Sequence, residues 1–510
     1  VTTRQTPTAD PRRWKVLAVT LTAGFMGLLD VSIVNVALPS IQRGLGASAG
    51  GIQWVVSGYA LTFGLVLVSG GRLGDALGRR RMFLLALTGF VLTSVAAGAA
   101  PTEAALVTAR LLQGFTAGLL TPQNTGLIQD LFRGPERGRA FGLFGATVGV
   151  STAVGPVLGG AIIAAFGEDH GWRWVFFVNV PIGAAALVLA ARLLPPAPPR
   201  SRSVRGEIDV VGMVLLGLAV LGVLLPLIES EQGGLRTLWW MFGVALVLAA
   251  AFLRWERRVV RRGRPPLLDP RLFTGTPGYP GGATIGAVYF CGFAGIWLVF
   301  ALFFQQGLGY SPLESGLAVT PFALGSAVSA AVAGRLVPRF GRRLTVTGLG
   351  MVATGLAVVG AVVVLFPAAP IGWVVAPPLL LAGIGGGMVI SPNTTLTLEC
   401  VPTRMAGVAG GALQTGQRIG TALGTAVLAS VFHAVVARSG AGPGPGVGSG
   451  GPGGPGGGAG PVGVYTSALA VAMFCSVGIV LVALAVAAGE LRARRARERT
   501  TTGQSISDPS

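Results

Sequence analysis

Apolar residues run along this chain in long blocks, with only brief polar punctuation between them. Most blocks approach or exceed 20 residues, the length an α-helix needs to cross about 30 Å of hydrocarbon. Fourteen are read, at about 16–38, 52–70, 82–100, 104–126, 140–165, 174–194, 208–228, 237–255, 281–304, 314–334, 344–366, 371–393, 405–436 and 464–488. The thirteenth is longer than a span requires, which predicts tilt or an end outside the bilayer. The first follows a polar segment with Arg4, Arg12, Arg13 and Lys15. It is too long for a signal peptide and shows no small-residue cleavage site, so a retained helix is expected. The pattern predicts an all-α polytopic membrane protein.

Composition removes the competing classes. Of 510 residues, 52% are apolar and 11% charged, and mean hydropathy is +0.70. A soluble surface needs about a quarter charged residues, so a soluble enzyme, a disordered scaffold and a disulfide framework are excluded. Cys291, Cys400 and Cys475 lie in or beside apolar runs with no near partner, and with His170 and His433 they form no metal-ligand spacing. No metal site is expected.

The net charge of +19 is explained by where it sits. If the first segment is cytoplasmic, 32 basic residues fall in cytoplasmic loops and only Arg43, Arg173, Arg236 and Arg438 fall outside. Arg110 and Arg418 lie within spans. That bias predicts an even span count with both termini cytoplasmic. It also accounts for the charge without nucleic acid as a partner. Lys15 is the only lysine, an arginine-rich usage that reads as a GC-rich bacterial coding sequence.

Two loops repeat one pattern 263 residues apart, Gly71 to Arg80 and Gly334 to Arg343. Parallel repeats about an axis along the membrane normal are a transporter architecture. The expected organisation is a cytoplasmic segment (1–15) and an N-terminal six-helix bundle (16–194), then linkers with two inserted helices (195–280). A C-terminal six-helix bundle (281–488) and a basic cytoplasmic tail (489–510) follow. The Gly/Pro-rich stretch 438–463 can bury no core and is expected to be a flexible external loop. Past Glu490 the expectation is a basic helix end, then a disordered Thr/Ser segment.

Asp30 lies deep in the first span, where a carboxylate is costly and marks function by default. Burial favours the neutral form of such a group and a nearby cation its charged form. It therefore fits a proton carrier, or else a hydrogen-bonded acid of helix packing. Arg110 needs a carboxylate or carbonyl partner, with Gln113 one turn on; it is either part of the coupling or a structural ion pair. In the first loop Gly71, Gly74 and Gly78 permit tight turns, and Asp75 can pair with Arg79 or Arg80 or face a helix N-terminus. The second copy has Pro338 where the first has Asp75.

Several segments together resemble the major facilitator superfamily, specifically its fourteen-span drug:proton antiporters. They are Leu29 to Pro39, Gly71 to Arg80, Arg110 to Gly114, Gly155 to Gly160 and Trp172 to Pro181. The resemblance covers nearly the whole chain. It implies a fold of two pseudo-symmetric six-helix bundles plus two inserted helices, fourteen transmembrane helices in all. It also implies that Asp30 and Arg110 couple protons. Gly71, Gly74, Asp75, Gly78, Arg79 and Arg80 would form a cytoplasmic gate that latches the start of span 13 near Gly407. Gly149, Gly155, Pro156, Gly159 and Gly160 would form the antiporter motif, with ordinary small-residue packing as the alternative.

Candidates for the substrate cavity are Asn35, Gln113, Tyr289, Trp297, Gln414 and Arg418. The aromatics of span 9 could form an apolar wall, or face lipid and neighbouring helices. Span 13 has no acid, so the cavity should favour neutral, monocationic or weakly acidic amphipaths over dications. Glu314 and Glu399 are read first as boundary residues. The expected activity is proton-coupled efflux of hydrophobic or amphipathic small molecules, with proton-coupled import as the alternative. No catalytic set or phosphate-binding loop points to an enzyme or to ATP drive. No cofactor is expected beyond the proton gradient. The expected partners are small-molecule substrates, protons and lipid, for a monomer in a bacterial plasma membrane.

Overall fold

The computed structural model describes residues 11–167, 169–196, 208–366, 371–438 and 461–506. Among them every regular element is helical. Fourteen long helices follow one another: α1 (Arg13–Leu45), α2 (Ala49–Leu77), α3 (Arg79–Gly98), α4 (Glu103–Leu131), α5 (Gly134–Phe166) and α6 (Gly171–Leu193) come first. Then come α7 (Val210–Ile228), α8 (Trp240–Arg261), α9 (Tyr279–Gly307), α10 (Pro312–Phe340) and α11 (Arg342–Leu365). The last are α12 (Ile371–Thr397), α13 (Ala406–Arg438) and α14 (Pro461–Ile506). Arg4, Arg200, Arg202, Arg205 and nearly all of the Gly/Pro-rich loop lie outside the described residues.

Thirteen of these helices are long and apolar enough to cross a membrane, against fourteen expected. The exception is α8. It is apolar from Trp240 to Leu253 but then carries Arg254, Glu256, Arg257, Arg258 and Arg261. The thirteenth expected span is a 33-residue helix. The expected disordered tail departs more: α14 continues to Ile506, because alanine, arginine and glutamate after Gly489 all favour helix.

Local sequence explains where helices start. Ser48 Oγ accepts from Gly51 N at 3.0 Å and Thr102 Oγ1 from Ala105 N at 3.3 Å. Ser311 and Glu314 form a reciprocal capping box at α10.

The packing repeats the sequence repeat. In the first half α2 packs on α4, α3 on α4, α1 on α5 and on α6, and α3 on α6. In the second half α10 packs on α12, α11 on α12, α9 on α13 and on α14, and α11 on α14. Each pair in one half has its counterpart in the other. The halves meet along two seams, α2 against α13 and α5 against α10. Between membrane helices there is little hydrophobic drive, so close backbone approach has to supply attraction. Glycines allow it. A Cβ on Gly138 would stand 2.6 Å from the Gly334 carbonyl oxygen, one on Gly142 3.0 Å from that of Ala330, and one on Gly149 2.9 Å from Ala327 N.

Contacts between helix ends place the described arginine-rich loops on one face of the molecule. Arg13 pairs with Glu136, Arg79 with Asp130, Arg80 donates to the Ala191 carbonyl and Arg137 to that of Glu399. On the opposite face Ser48 donates to Glu103, and Arg173 to the carbonyls of Gly98 and Ala100. At the basic face an apolar plug drawn from both halves, including Ile128, Phe132, Phe141, Leu398 and Leu413, closes the space between the bundles.

The inserted helices α7 and α8 pack on each other, and α7 lies over the α2–α13 seam. Val220 and Leu224 meet Leu61 of α2 and Ile419 and Ala422 of α13. At the charged end of α8, beyond its apolar stretch, Glu256 is fully buried beside Asp209. Asp209 caps α7 by accepting from Gly212 N and accepts from Trp255 Nε1, both at 2.9 Å. Burial, then the Asp209 carboxylate, pushes Glu256 up to about 8. A raised carboxyl binds its proton more tightly in the folded state. Stability therefore falls as pH rises from the unfolded value toward about 8. Thermal unfolding of purified protein is expected to occur a few degrees lower at pH 9 than at pH 6. Glu256→Gln should flatten that dependence.

Candidate functional site

Three sites lie on this frame. The first is a buried polar cluster in the N-terminal bundle. Asp30 of α1 is fully buried. Its Oδ2 accepts from Arg110 Nη1 at 2.5 Å, and its Oδ1 from Gln113 Nε2 at 3.0 Å and Asn179 Nδ2 at 2.9 Å. Arg110 and Gln113 share a face of α4 because they are three residues apart. Arg110 also donates to the Gln113 Oε1 (2.8 Å) and, through Nε, to the Val55 carbonyl (2.9 Å). Ser94 Oγ of α3 accepts from Gln113 and Asn179 and donates to the Phe176 carbonyl. Helices α1, α2, α3, α4 and α6 all contribute. A buried ion pair is tolerable only when such bonds satisfy the remaining lone pairs and protons. The cluster therefore holds one charge pair tightly, with the remaining lone pairs and protons of both partners hydrogen-bonded.

The second site is a cavity between the bundles, of about 140 Å³. Drug-sized pockets run to about 300–1,000 Å³, so this cavity must widen to admit such a molecule. Its wall takes Tyr59 and Phe63 from α2, Asn124 and Thr125 from α4, Phe144 from α5 and Phe290 from α9. From α13 it takes Gln414, Gln417 and Arg418. These recur at helical spacing, so one face of α13 looks inward. The Arg418 guanidinium lies 4.5 Å over the Phe63 ring, and Gln414 donates to Thr125 Oγ1 at 3.3 Å. Tyr59 joins the two sites. One side of it lines the cavity, and Arg110 stacks on its ring at 4.3 Å.

The cavity candidates divide accordingly. Gln414 and Arg418 line it. Gln113 does not, since its side chain is spent on the Asp30 cluster. Asn35 is exposed outside the lining. Tyr289 is buried in the C-terminal bundle and stacks on Phe293, which packs edge-on to Trp297. Of the α9 aromatics only Phe290 reaches the cavity, because the others turn to the bundle core, where they bury more area. Tyr59, Ser94 and Asn179 were not among the candidates. Their signal was a polar group in the middle of an apolar run.

The third site is the latch at the basic end. Asp75 accepts from Gly407 N at 3.1 Å and Val408 N at 3.0 Å, the free N–H groups opening α13. Arg79 pairs with Asp75 at 3.0 Å and Asp130 at 2.6 Å, and donates to the Thr403 carbonyl at 2.8 Å. The glycines are required sterically. A Cβ on Gly71 would strike the Gly407 backbone and one on Gly74 the Gln123 side chain, while Gly78 has φ +95°. Arg80 instead holds the end of α6. In the second copy Arg342 points into its own bundle, to Asn393 and Glu490.

Along α5 the glycine rows face two ways. Gly149 abuts α10, whereas Cβ atoms on Gly155 and Gly159 would crowd Ser32 and Ile33 of α1. Pro156 meets Gly316 of α10 and nothing crowds Gly160. The helix thus touches the opposite bundle with one face and the segment beside Asp30 with another.

Comparison with known proteins agrees with this architecture. The family model described as Major Facilitator Superfamily matches residues 20–425. A probable actinorhodin transporter of Streptomyces coelicolor is 36% identical over 84% of this chain and 74% of its own. The puromycin resistance protein pur8 of Streptomyces alboniger is 38% identical over 83% of this chain and 82% of its own. Among solved structures, the human organic anion transporter MFSD10 superposes with a TM-score of 0.67 at 15% identity, covering 94% of this chain and all of that one.

Proposed function

Because the chain belongs to the major facilitator superfamily, and is a multi-pass membrane transporter rather than an enzyme, we propose that it exports amphipathic small molecules in exchange for protons. The observation that carries the reading is Tyr59, one ring shared by the Asp30–Arg110 cluster and the cavity. Its relatives, a probable actinorhodin transporter and a puromycin resistance protein, support export as the direction.

In this reading the basic face is cytoplasmic, both termini lie inside a bacterial plasma membrane, and one chain works alone. No cofactor takes part; the proton gradient supplies the drive. A proton arriving at Asp30 neutralises the counter-charge of Arg110. The guanidinium then keeps only the Val55 carbonyl and Gln113, and the Tyr59 wall loses a fixed support. Cargo and proton thereby compete for one arrangement, as exchange requires. The α5 helix relates the competition to opening, since it touches both α10 and the α1 segment after Asp30.

Everted vesicles with an imposed proton gradient, acid inside, test this with a panel of labelled amphipaths. Uptake that needs the gradient and returns protons outward is the expected result. Solute movement with protons in the same direction would establish import by symport instead.

A further inference from the structure

We propose that Arg418 is a direct anchor for an anionic group, so that the cavity takes amphipathic monoanions: a flat aromatic body bearing one carboxylate or acidic hydroxyl. The inference rests on the reading of this cavity as the cargo site.

Every acid near the cavity is already engaged. Asp30 is held by Arg110, Gln113 and Asn179 behind the Tyr59 ring. Asp75 and Asp130 are held at the basic end by Arg79 and the start of α13. Tyr59 keeps its hydroxyl on the Gly27 carbonyl. Arg418 alone of the lining residues carries a formal charge, and no carboxylate among the described residues pairs with it. Its ring contact with Phe63 covers one face of the guanidinium and leaves the N–H edge without a protein acceptor among the described residues. Arg110, stacked on the Tyr59 ring and paired with Asp30, shows by contrast what a compensated arginine looks like here.

A guanidinium inside a bundle is expensive without an anion. Its planar fork suits a carboxylate in two parallel bonds. Around it the wall is mixed in the way such a cargo needs. Gln414, Gln417 and Asn124 offer polar groups. Phe63, Phe144 and Phe290 offer aromatic faces. A monocation entering the same space meets an unopposed positive charge in a medium that screens weakly.

The test uses full-length protein in nanodiscs and a matched pair of probes, 2-naphthoate and 2-naphthamide, with binding read by calorimetry at pH 7.5. The acid should bind at least about ten-fold tighter than the amide, the scale of one charge-assisted contact. An Arg418→Gln protein, checked as folded by its cooperative thermal unfolding, should lose that preference. Arg418→Lys should keep part of it. Equal affinities for the two probes, or an acid preference that survives Arg418→Gln, would overturn the proposal. Vesicle flux separates it from the export reading. Arg418-dependent naphthoate binding with no gradient-driven flux of any compound sinks export and keeps the anion site. Gradient-driven flux of a lipophilic cation such as tetraphenylphosphonium, with none of naphthoate, does the reverse.

Discussion

Asp30→Asn is expected to reduce proton-driven accumulation by at least about 100-fold while leaving passive exchange of cargo across the membrane in place. Asparagine keeps the shape and some of the bonds to Gln113 and Asn179 but removes the ionisable group and with it the charge opposite Arg110. Breaking one member of a buried pair costs about 3–5 kcal/mol, because the other charge is left without compensation. The single variant should therefore also unfold at lower temperature. Pairing it with Arg110→Gln, which removes both charges, should recover stability but not coupled transport. That separation distinguishes a coupling role from a packing role. An Asp30→Asn protein that still concentrates cargo with an unchanged pH profile would remove the basis for exchange at this site.

Asp75→Asn is the second change with a large expected effect. It weakens two bonds to the start of α13 and the pairing with Arg79. Hydrogen bonds to charged groups are worth about 1.5–3 kcal/mol each, and a loss of about 2 kcal/mol shifts a two-state balance about thirty-fold. The cavity should become more accessible from the basic face. With Cys291, Cys400 and Cys475 replaced by serine, a cysteine put in place of Gln414 reports this through its rate of modification by an impermeant maleimide. The rate should rise about ten- to thirty-fold from the basic face only. An unchanged rate would mean that the apolar plug, not the latch, holds the seam closed.

Much of this was legible in the sequence, for physical reasons. Span lengths are set by the bilayer, so thirteen of the expected crossings coincide with helices of sufficient length and apolarity. The loop repeat at Gly71 and Gly334 is local, and its partner pairs follow from symmetry. A carboxylate in the first span and an arginine in the fourth each call for a compensating partner, and here each serves the other. Convergence was not legible. Ser94 and Asn179 reach Asp30 from helices far apart in sequence, and no spacing rule announces that. Helix rotation was not legible either. The α9 aromatics cover more than one side of their helix, and packing rather than periodicity decided that Phe290 faces the cavity while Tyr289 faces the core. At α8 the arginines read as loop are helical, since arginine propagates a helix as readily as it marks a membrane boundary.

The hairpin of α7 and α8 makes the two seams unequal. It shutters the α2–α13 seam, where Leu61 is buried. Along the other seam Val150 and Val157 of α5, with Leu324 and Val328 of α10, are bare. Among the described residues, then, one seam is covered and the other meets lipid directly, so the molecule, for all its internal symmetry, has a front and a back.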